Sequence, residues 1–480
     1  MTSSLSALRL RALMIAWLAF GLAPEAHAGF SIDATIPEAV YDAVTQNQTL
    51  GWAQTQRFSD DGTRLIGAFE VGTSGSDDEA FVWSQSGGVV LLGDFAGGRY
   101  DATPTGISAD GSIVVGRSWG GTSNDPFVWD DVNGMQYLGT LPAGYNRARP
   151  TAVSDDGASV VGYLYKTTGP PEAFHWDAVN GYTPLGTLPG GTQSEALAIS
   201  GDGGAVAGWG PVGGGDYEAF HWTAAGGLVA LGDFTGSNHW SQGLVLSDDG
   251  AIVVGYGWKY ETCGGQCGTS TTRAFRWTVG GGLEELGSWL EPTNVPISAS
   301  SDASVVVGTA PNSEHFVWRE GLGAEELEAL FELESGTDID DWEIEPLQVV
   351  DDGGAFAVLG VGRYLADPPV IWRLRLDPPP ACSDGLDNDG DGHVDFPADP
   401  GCPAATGDDE APACDDDLDN DGDGGVDWDG GDGGGTPDPN CVAGWQGREA
   451  PRGCGLGFEV ALLLAGWAAF DRSRRRPRLG

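Results

Sequence analysis

Short valine and isoleucine runs punctuated by Asp-Gly pairs fill the middle of the chain, and no long amphipathic helical pattern interrupts them. The string "SDDGAIVVG" from Ser247 has six relatives, which begin at Ser59, Ser108, Ser154, Ser200, Ser300 and Val350. A second string keeps step with it. "EAFHW" stands at Glu172–Trp176 and again at Glu218–Trp222, with variants ending at Trp83, Trp129, Trp277, Trp318 and Trp372. Where Phe and Trp sit two apart they share one face of a strand. Each unit reads as four strands. The valine run after the Asp-Gly turn is the first and the aromatic-ended segment the second. A Gly-rich turn into "LG", as at Gly226–Gly232, gives the third, and a segment ending at the next serine, as at Glu195–Ser200, gives the fourth. The Asp-Gly pair is expected to turn the hairpin because both residues tolerate positive φ.

A period of 46 to 53 residues between the serine-led strings is the range of propellers and solenoids. Four antiparallel strands per unit, repeated radially, predict an all-β fold, a β-propeller of four-stranded blades. The first and second strands occur seven times, and the third and fourth are complete six times after Ser59. Gly51–Ser59 matches the missing fourth strand, and "FSIDATI" near Phe30 supplies the missing third. The two chain ends would then share a blade and lock the ring. Seven blades are expected, with six as the alternative because the Ser300 unit is irregular.

The residue between Phe and Trp is Val82, Val128, His175, His221, Arg276, Val317 and Ile371 in successive units. Histidine is one choice among several there, which reads as scaffold in preference to ligand or base. The repeat resembles the HAF repeat of bacterial extracellular proteins over roughly Ser59–Leu376, through "AFxW", "LGTLPGG" at Leu185–Gly191 and the serine-led string. The resemblance implies an exported scaffold and no assigned chemistry; the His-Ala-Phe triplet itself is not intact.

Charge and the chain ends add a destination. The 480 residues carry 23 Lys+Arg against 70 Asp+Glu, a formal charge of −47, which argues against nucleic acid as a partner. Residues 1–28 have a basic start, a short apolar core and "AHA" at Ala26–Ala28, the pattern of a secretory signal cut by signal peptidase. The propeller is assigned to 29–378, an acidic Cys-bracketed stalk to 379–450 and a sorting tail to 451–480. Seven cysteines fit an oxidising compartment. Cys263 and Cys267, Cys382 and Cys402, and Cys414 and Cys441 form three plausible pairs, leaving Cys454.

The stalk repeats D-x-D-x-D-G. Asp387, Asp389, Asp391 and Asp395 with the His393 carbonyl, and Asp419, Asp421, Asp423 and Asp427 with the Gly425 carbonyl, would converge on a hard cation such as Ca²⁺. The loops resemble those of EF-hands and thrombospondin type 3 repeats. They depart from the EF-hand at the twelfth position, Ala398 or Gly430, which implies weak structural binding, about 10⁻⁴ to 10⁻³ M. The tail joins Gly453-Cys454, an apolar run from Val460 to Phe470 and a cluster of arginines. It resembles the myxobacterial C-terminal sorting signal. That resemblance implies a membrane sorting protease, lipid attachment at Cys454 and display on the surface of a Gram-negative cell; an uncleaved membrane anchor is the alternative. The run is shorter than the ~20 residues that span a bilayer comfortably.

No G-x-S-x-G, H-E-x-x-H or phosphate loop is present, so catalysis has no distinguished residues. Binding has one clue. Trp119, Tyr163, Tyr165, Trp209, Tyr256, Trp258 and Tyr260 all follow the valine run, and in a propeller those connections leave by one face. They would stack on sugar rings or on a surface protein, or else pack over the blade edges. The expected function is an exported surface scaffold that binds an extracellular glycan or protein, or serves as an envelope component. The alternative is a propeller enzyme acting on polysaccharide.

Overall fold

The computed structural model describes residues 30–376, apart from 47–57, 71–77, 96–100, 121–123, 214–215, 235–239, 264–266, 287–293, 311–313, 353–354 and 366, together with Cys402. The chain divides into two compact units, Met1–Pro378 and Pro379–Gly480. The first holds seven antiparallel sheets arranged as the blades of a propeller. In the fourth blade the strands run in chain order from the innermost outward: Glu195–Ile199, Ala205–Pro211, Tyr217–Thr223 and Gly227–Ala230. Blades two (102–137), three (145–186), five (241–285) and six (295–326) repeat that order.

The ends of the ring meet as the strand count predicts. Phe30–Thr35 pairs with Val370–Leu376 and forms the outer strand of blade seven, beside Phe356–Tyr364 and Trp342–Asp351. Blade one shows three full strands, Arg64–Glu70, Asp78–Ser84 and Gly88–Leu91. Phe58 bridges Leu65 at its innermost position, so the expected inner strand is visible at its last residues; 51–57 lie outside the described residues.

One contact repeats in every blade and explains the glycine that ends "VVG". The second strand puts Gly67, Gly116, Gly162, Gly208, Gly255 and Gly308 opposite Phe81, Phe127, Phe174, Phe220, Phe275 and Phe316 of the third. Each of these rings is fully buried. Most also lie across a glycine that has no room for a Cβ: at Gly208 it would strike the Glu195 carbonyl oxygen and the Phe220 ring. Burying each phenyl group contributes about 2–3 kcal/mol. The neighbouring inner strand bulges beside this glycine in all six blades where that strand is described. Proline stands there in four of them, Pro104, Pro150, Pro296 and Pro346, as an edge strand permits.

Blade seven corrects the sequence alignment. Gly360 opposes Trp372, so this tryptophan occupies the phenylalanine position and not the second aromatic one. The turn before it is two residues longer, and "VIW" is displaced accordingly. The indole Nε1 donates to the Val361 carbonyl at 2.9 Å, which satisfies its polar atom in the core.

The serine-led turn also differs from expectation in its mechanism. Only the glycine takes positive φ, +73° at Gly203, and among the described non-glycine residues only Ala303 and Leu365 do so. The aspartate works through its side chain. Asp202 Oδ1 accepts the Ser200 hydroxyl at 2.6 Å and the Gly204 N–H at 2.8 Å, while Ser200 Oγ accepts the Ala205 N–H at 2.9 Å. The buried serine and the aspartate together replace solvent for the turn's donors.

One expectation is withdrawn. No helix among the described residues is long and apolar enough to cross a membrane; the two α-helices there, Glu38–Gln46 and Leu327–Ser335, have nine residues each. The apolar run Val460–Phe470 is itself short for a bilayer and lies outside the described residues. Cys263 and Cys267 are register partners at a hairpin end, and their side chains lie outside the described residues. Cys402 is buried and disulfide-bonded; Cys382, Cys414, Cys441 and Cys454 lie outside the described residues, as do Gly453 and the calcium-loop candidates at 387–395 and 419–427.

Candidate functional site

The inner strands leave a channel with two chemically different mouths. At the turn end, the residue after each of the six motif serines, together with Asp351 after Val350, forms a ring: Asp60, Ala109, Asp155, Gly201, Asp248, Ser301 and Asp351. Backbone bonds lace neighbouring blades here. The Asp60 N–H donates to the Ala109 carbonyl at 3.0 Å, Ala109 to Asp155 at 3.1 Å, Asp155 to Gly201 at 3.1 Å and Asp248 to Ser301 at 2.7 Å. A cavity of about 120 Å³ lies inside, lined by Asp60, Asp155, Asp248 and Asp351 and, farther in, by Leu197 and Leu244.

Burial, and then the neighbouring Asp155, Asp248 and Asp351 carboxylates, push Asp60 up to about 7. Burial, then Asp155 and Asp351, raise Asp248 to about 6. The next residue along goes the other way. The Ser247 hydroxyl and the Ala251 N–H hold Asp249 below the usual carboxylate range. One motif thus sets two adjacent aspartates to opposite tasks. Among the described residues, no group of three or more His, Cys, Asp or Glu is placed to hold a metal ion.

Both repeat histidines serve the same lacing. His175 Nε2 donates to the Gly203 carbonyl at 3.2 Å, and His221 Nε2 donates to the Gly250 carbonyl at 2.8 Å, each reaching the turn of the following blade. Arg64 Nη1 does likewise toward Gly111 at 3.1 Å.

The opposite mouth carries the aromatic side chains. Trp258 is 41% exposed and stacks on Trp240, with centroids 5.1 Å apart and planes 27° from parallel. The Trp258 N–H donates to the Trp240 carbonyl at 2.8 Å, which fixes the pair. Tyr256 lies edge-on to Trp240 at 5.1 Å, and its hydroxyl donates to Gln242 Oε1 at 3.3 Å. On blade three, Tyr163 is buried and Tyr165 half-buried, 5.5 Å apart. The Arg147 guanidinium sits 3.8 Å over the Tyr165 ring, and that of Arg149 lies 5.9 Å from Tyr163. Trp209 is half-buried against Tyr217 at 5.4 Å, and Trp119 is half-buried at its strand end. The backbone of Tyr260 pairs with Ser270; its side chain lies outside the described residues.

The expected set is therefore split among blades. Tyr256 and Trp258 come together on one, Tyr163 and Tyr165 on another, and Trp119 and Trp209 stand on two more. Sequence reading missed Trp240 and the arginines. Trp240 precedes an inner strand and not a valine run, and Arg147 and Arg149 lie on an inner strand, in "YNRARP".

No protein-family model matches the chain, and no curated protein matches it. Among solved structures it is similar to TolB from Acinetobacter baumannii, at 14% identity and TM-score 0.35 over 66% of this chain and 64% of that one. It is also similar to the β-propeller domain of the Trilobed protease from Pyrococcus furiosus, at 9% identity and TM-score 0.41 over 65% of this chain and 92% of that one. A chain from a study of two prolyl endopeptidases matches at 11% identity and TM-score 0.41, over 65% of this chain and 46% of that one. The present chain thus spans 64% of that TolB's length. At these values the likenesses carry no argument; the strand pairing by itself establishes the propeller fold.

Proposed function

We propose that this propeller is a non-catalytic binding scaffold that works outside the cytoplasm as a HAF-repeat-like module, and that its ligand is a glycan laid across the aromatic mouth. The observation that carries this reading is the exposed Trp258, held rigid on Trp240 with Tyr256 behind it. A sugar ring presents C–H groups to such a face, and a pre-positioned indole loses little entropy on binding. The secretory pattern at 1–28 supports the location. The Asp-rich loops at 387–395 and 419–427 would take calcium weakly and stiffen their own segment.

The test is saccharide-array binding by the full chain with and without Trp258→Ala. Bound saccharide should be lost at least tenfold in the variant, with an unchanged melting temperature. Binding that survives Trp258→Ala combined with Trp119→Ala removes the aromatic mouth from the reading. The enzyme alternative has one observation in its favour, the Asp60 and Asp248 carboxyls raised at the other mouth. Release of reducing ends from polysaccharide, abolished by Asp60→Asn, would favour it.

A further inference from the structure

In a chain with 70 acidic and 23 basic residues, two arginines from adjacent blades lie together at the aromatic mouth. Arg117 is on the second strand of blade two, Ile113–Trp119, and Arg149 on the inner strand of blade three, Tyr145–Val153. The two strands pack against each other, and burial first, then the Arg149 charge, lowers the Arg117 guanidinium from its ordinary range. Neither forms a salt bridge with a described carboxylate. Asp101 and Asp78 act on Arg117 at a distance, and Arg149 and Glu195 attract one another in the same way. Burial raises Glu195 above its ordinary range, against the opposing pull of Arg149.

Two donors here lack an acceptor among the described residues. Arg117 Nε is buried and unpaired, and so is the Thr103 hydroxyl. Thr103 and Arg117 are directly opposed in register, so their side chains leave the same face of the sheet. A buried donor without a partner costs about 1–3 kcal/mol, and a charged one more. Two guanidinium groups with one hydroxyl between strands are the complement of a planar or tetrahedral oxyanion.

We infer that Arg117, Arg149 and Thr103 form an oxyanion subsite, and that the glycan this mouth takes is acidic, bearing a carboxylate or a sulfate on its sugar ring. The inference rests on the glycan reading above and adds the charge of the ligand. The aromatic pair would receive the ring of one sugar and the arginines the anionic group of another. Electrostatic steering by the rest of the surface opposes such a ligand, so recognition must come from these few short-range contacts, and it weakens with salt.

The experiment is equilibrium binding of the full chain to three soluble polymers of matched length: a polyuronate, a sulfated dextran and unmodified dextran. Wild type, Arg117→Gln, Arg149→Gln, the double variant and Trp258→Ala are compared. At least one acidic polymer should bind tenfold or more tighter than dextran, and the preferred one identifies the anion. Each arginine change should remove about tenfold of that preference while leaving dextran binding alone, and Arg149→Lys should restore part of it. The double variant should melt no lower than wild type, because two facing cations are gone. Equal binding of all three polymers, lost in Trp258→Ala, overturns the oxyanion subsite and leaves the aromatic reading standing. Acidic binding lost with the arginines but kept in Trp258→Ala overturns the aromatic reading and leaves the subsite. Absence of binding to any polymer overturns both.

Discussion

Gln348 joins the two ends of the ring: its Nε2 donates to Asp60 Oδ1 at 2.9 Å, while its Oε1 accepts the Phe58 N–H at 2.9 Å. The partners are 288 and 290 positions away in the chain, and Gln348 is buried. Gln348→Leu keeps the volume but leaves a buried N–H and a buried carboxyl without partners. It should cost about 2–3 kcal/mol, read as a lower denaturant midpoint at unchanged slope. Gln348→Glu should cost more, because it faces Asp60 with a second carboxylate.

The raised aspartates predict a pH dependence of definite sign. Unfolded, Asp60 titrates near 4; folded, it titrates at about 7. Between these values the folded state binds more protons than the unfolded one. Stability from this group is therefore complete below about pH 4 and is lost as pH rises through 7. Asp248, folded at about 6, acts in the same direction over a narrower window. Aspartates held low, such as Asp202, change occupancy below about pH 4 and do not oppose this slope. Asp60→Asn retains an acceptor for Gln348, so it should flatten the fall between pH 5 and 8. At pH 8 it should stabilise by about 1–2 kcal/mol, measured by denaturant titration at each pH.

The glycine opposite each core phenylalanine should tolerate no side chain. Gly208→Ala brings a methyl group against the Glu195 carbonyl and within 2.8 Å of Phe220 Cζ, so either the bulge or the ring must move. A loss of about 3 kcal/mol or more is expected. Gly213→Ala, where a Cβ meets nothing within 4 Å, is the control and should change the melting temperature little.

His175→Val and His221→Val borrow the residue found at the same place in blades one, two and six. Each removes one bond to a neighbouring turn, worth about 1 kcal/mol. Both variants should fold, and added zinc should shift the melting temperature of neither variant nor wild type. A metal-dependent shift confined to wild type would assign these histidines a role beyond lacing.

The ring was legible in sequence because its determinants recur. A Phe over a Gly, a Ser and Asp closing a turn, and a count that comes out one strand short at each end all repeat at fixed intervals. Even the partner of the last blade, "FSIDATI", could be found by elimination. What did not recur was not legible. Trp372 looks like the final tryptophan of its motif until pairing puts it opposite Gly360. The face carrying Trp258 follows from strand connectivity, but its partner Trp240 does not, because it enters from the preceding strand of the same blade. Arg117 and Arg149 share no spacing at all; only the packing of two blades brings them together. The role of the turn aspartate was hidden for a different reason, since a residue that tolerates positive φ and one that accepts two hydrogen bonds look the same in a string of letters.

The strand Phe30–Thr35 fills the outer edge of a sheet whose other members are not synthesised until residues 342–376. Until then Val370–Leu376 has no cover and the first strand no berth. The circle thus works as a measure of its own completeness: a product cut short by even one blade leaves hydrogen-bonding edges open at both extremities, ready to pair with other chains or to be degraded. Quality control over a long, acidic polypeptide is in this way delegated to six residues at its beginning.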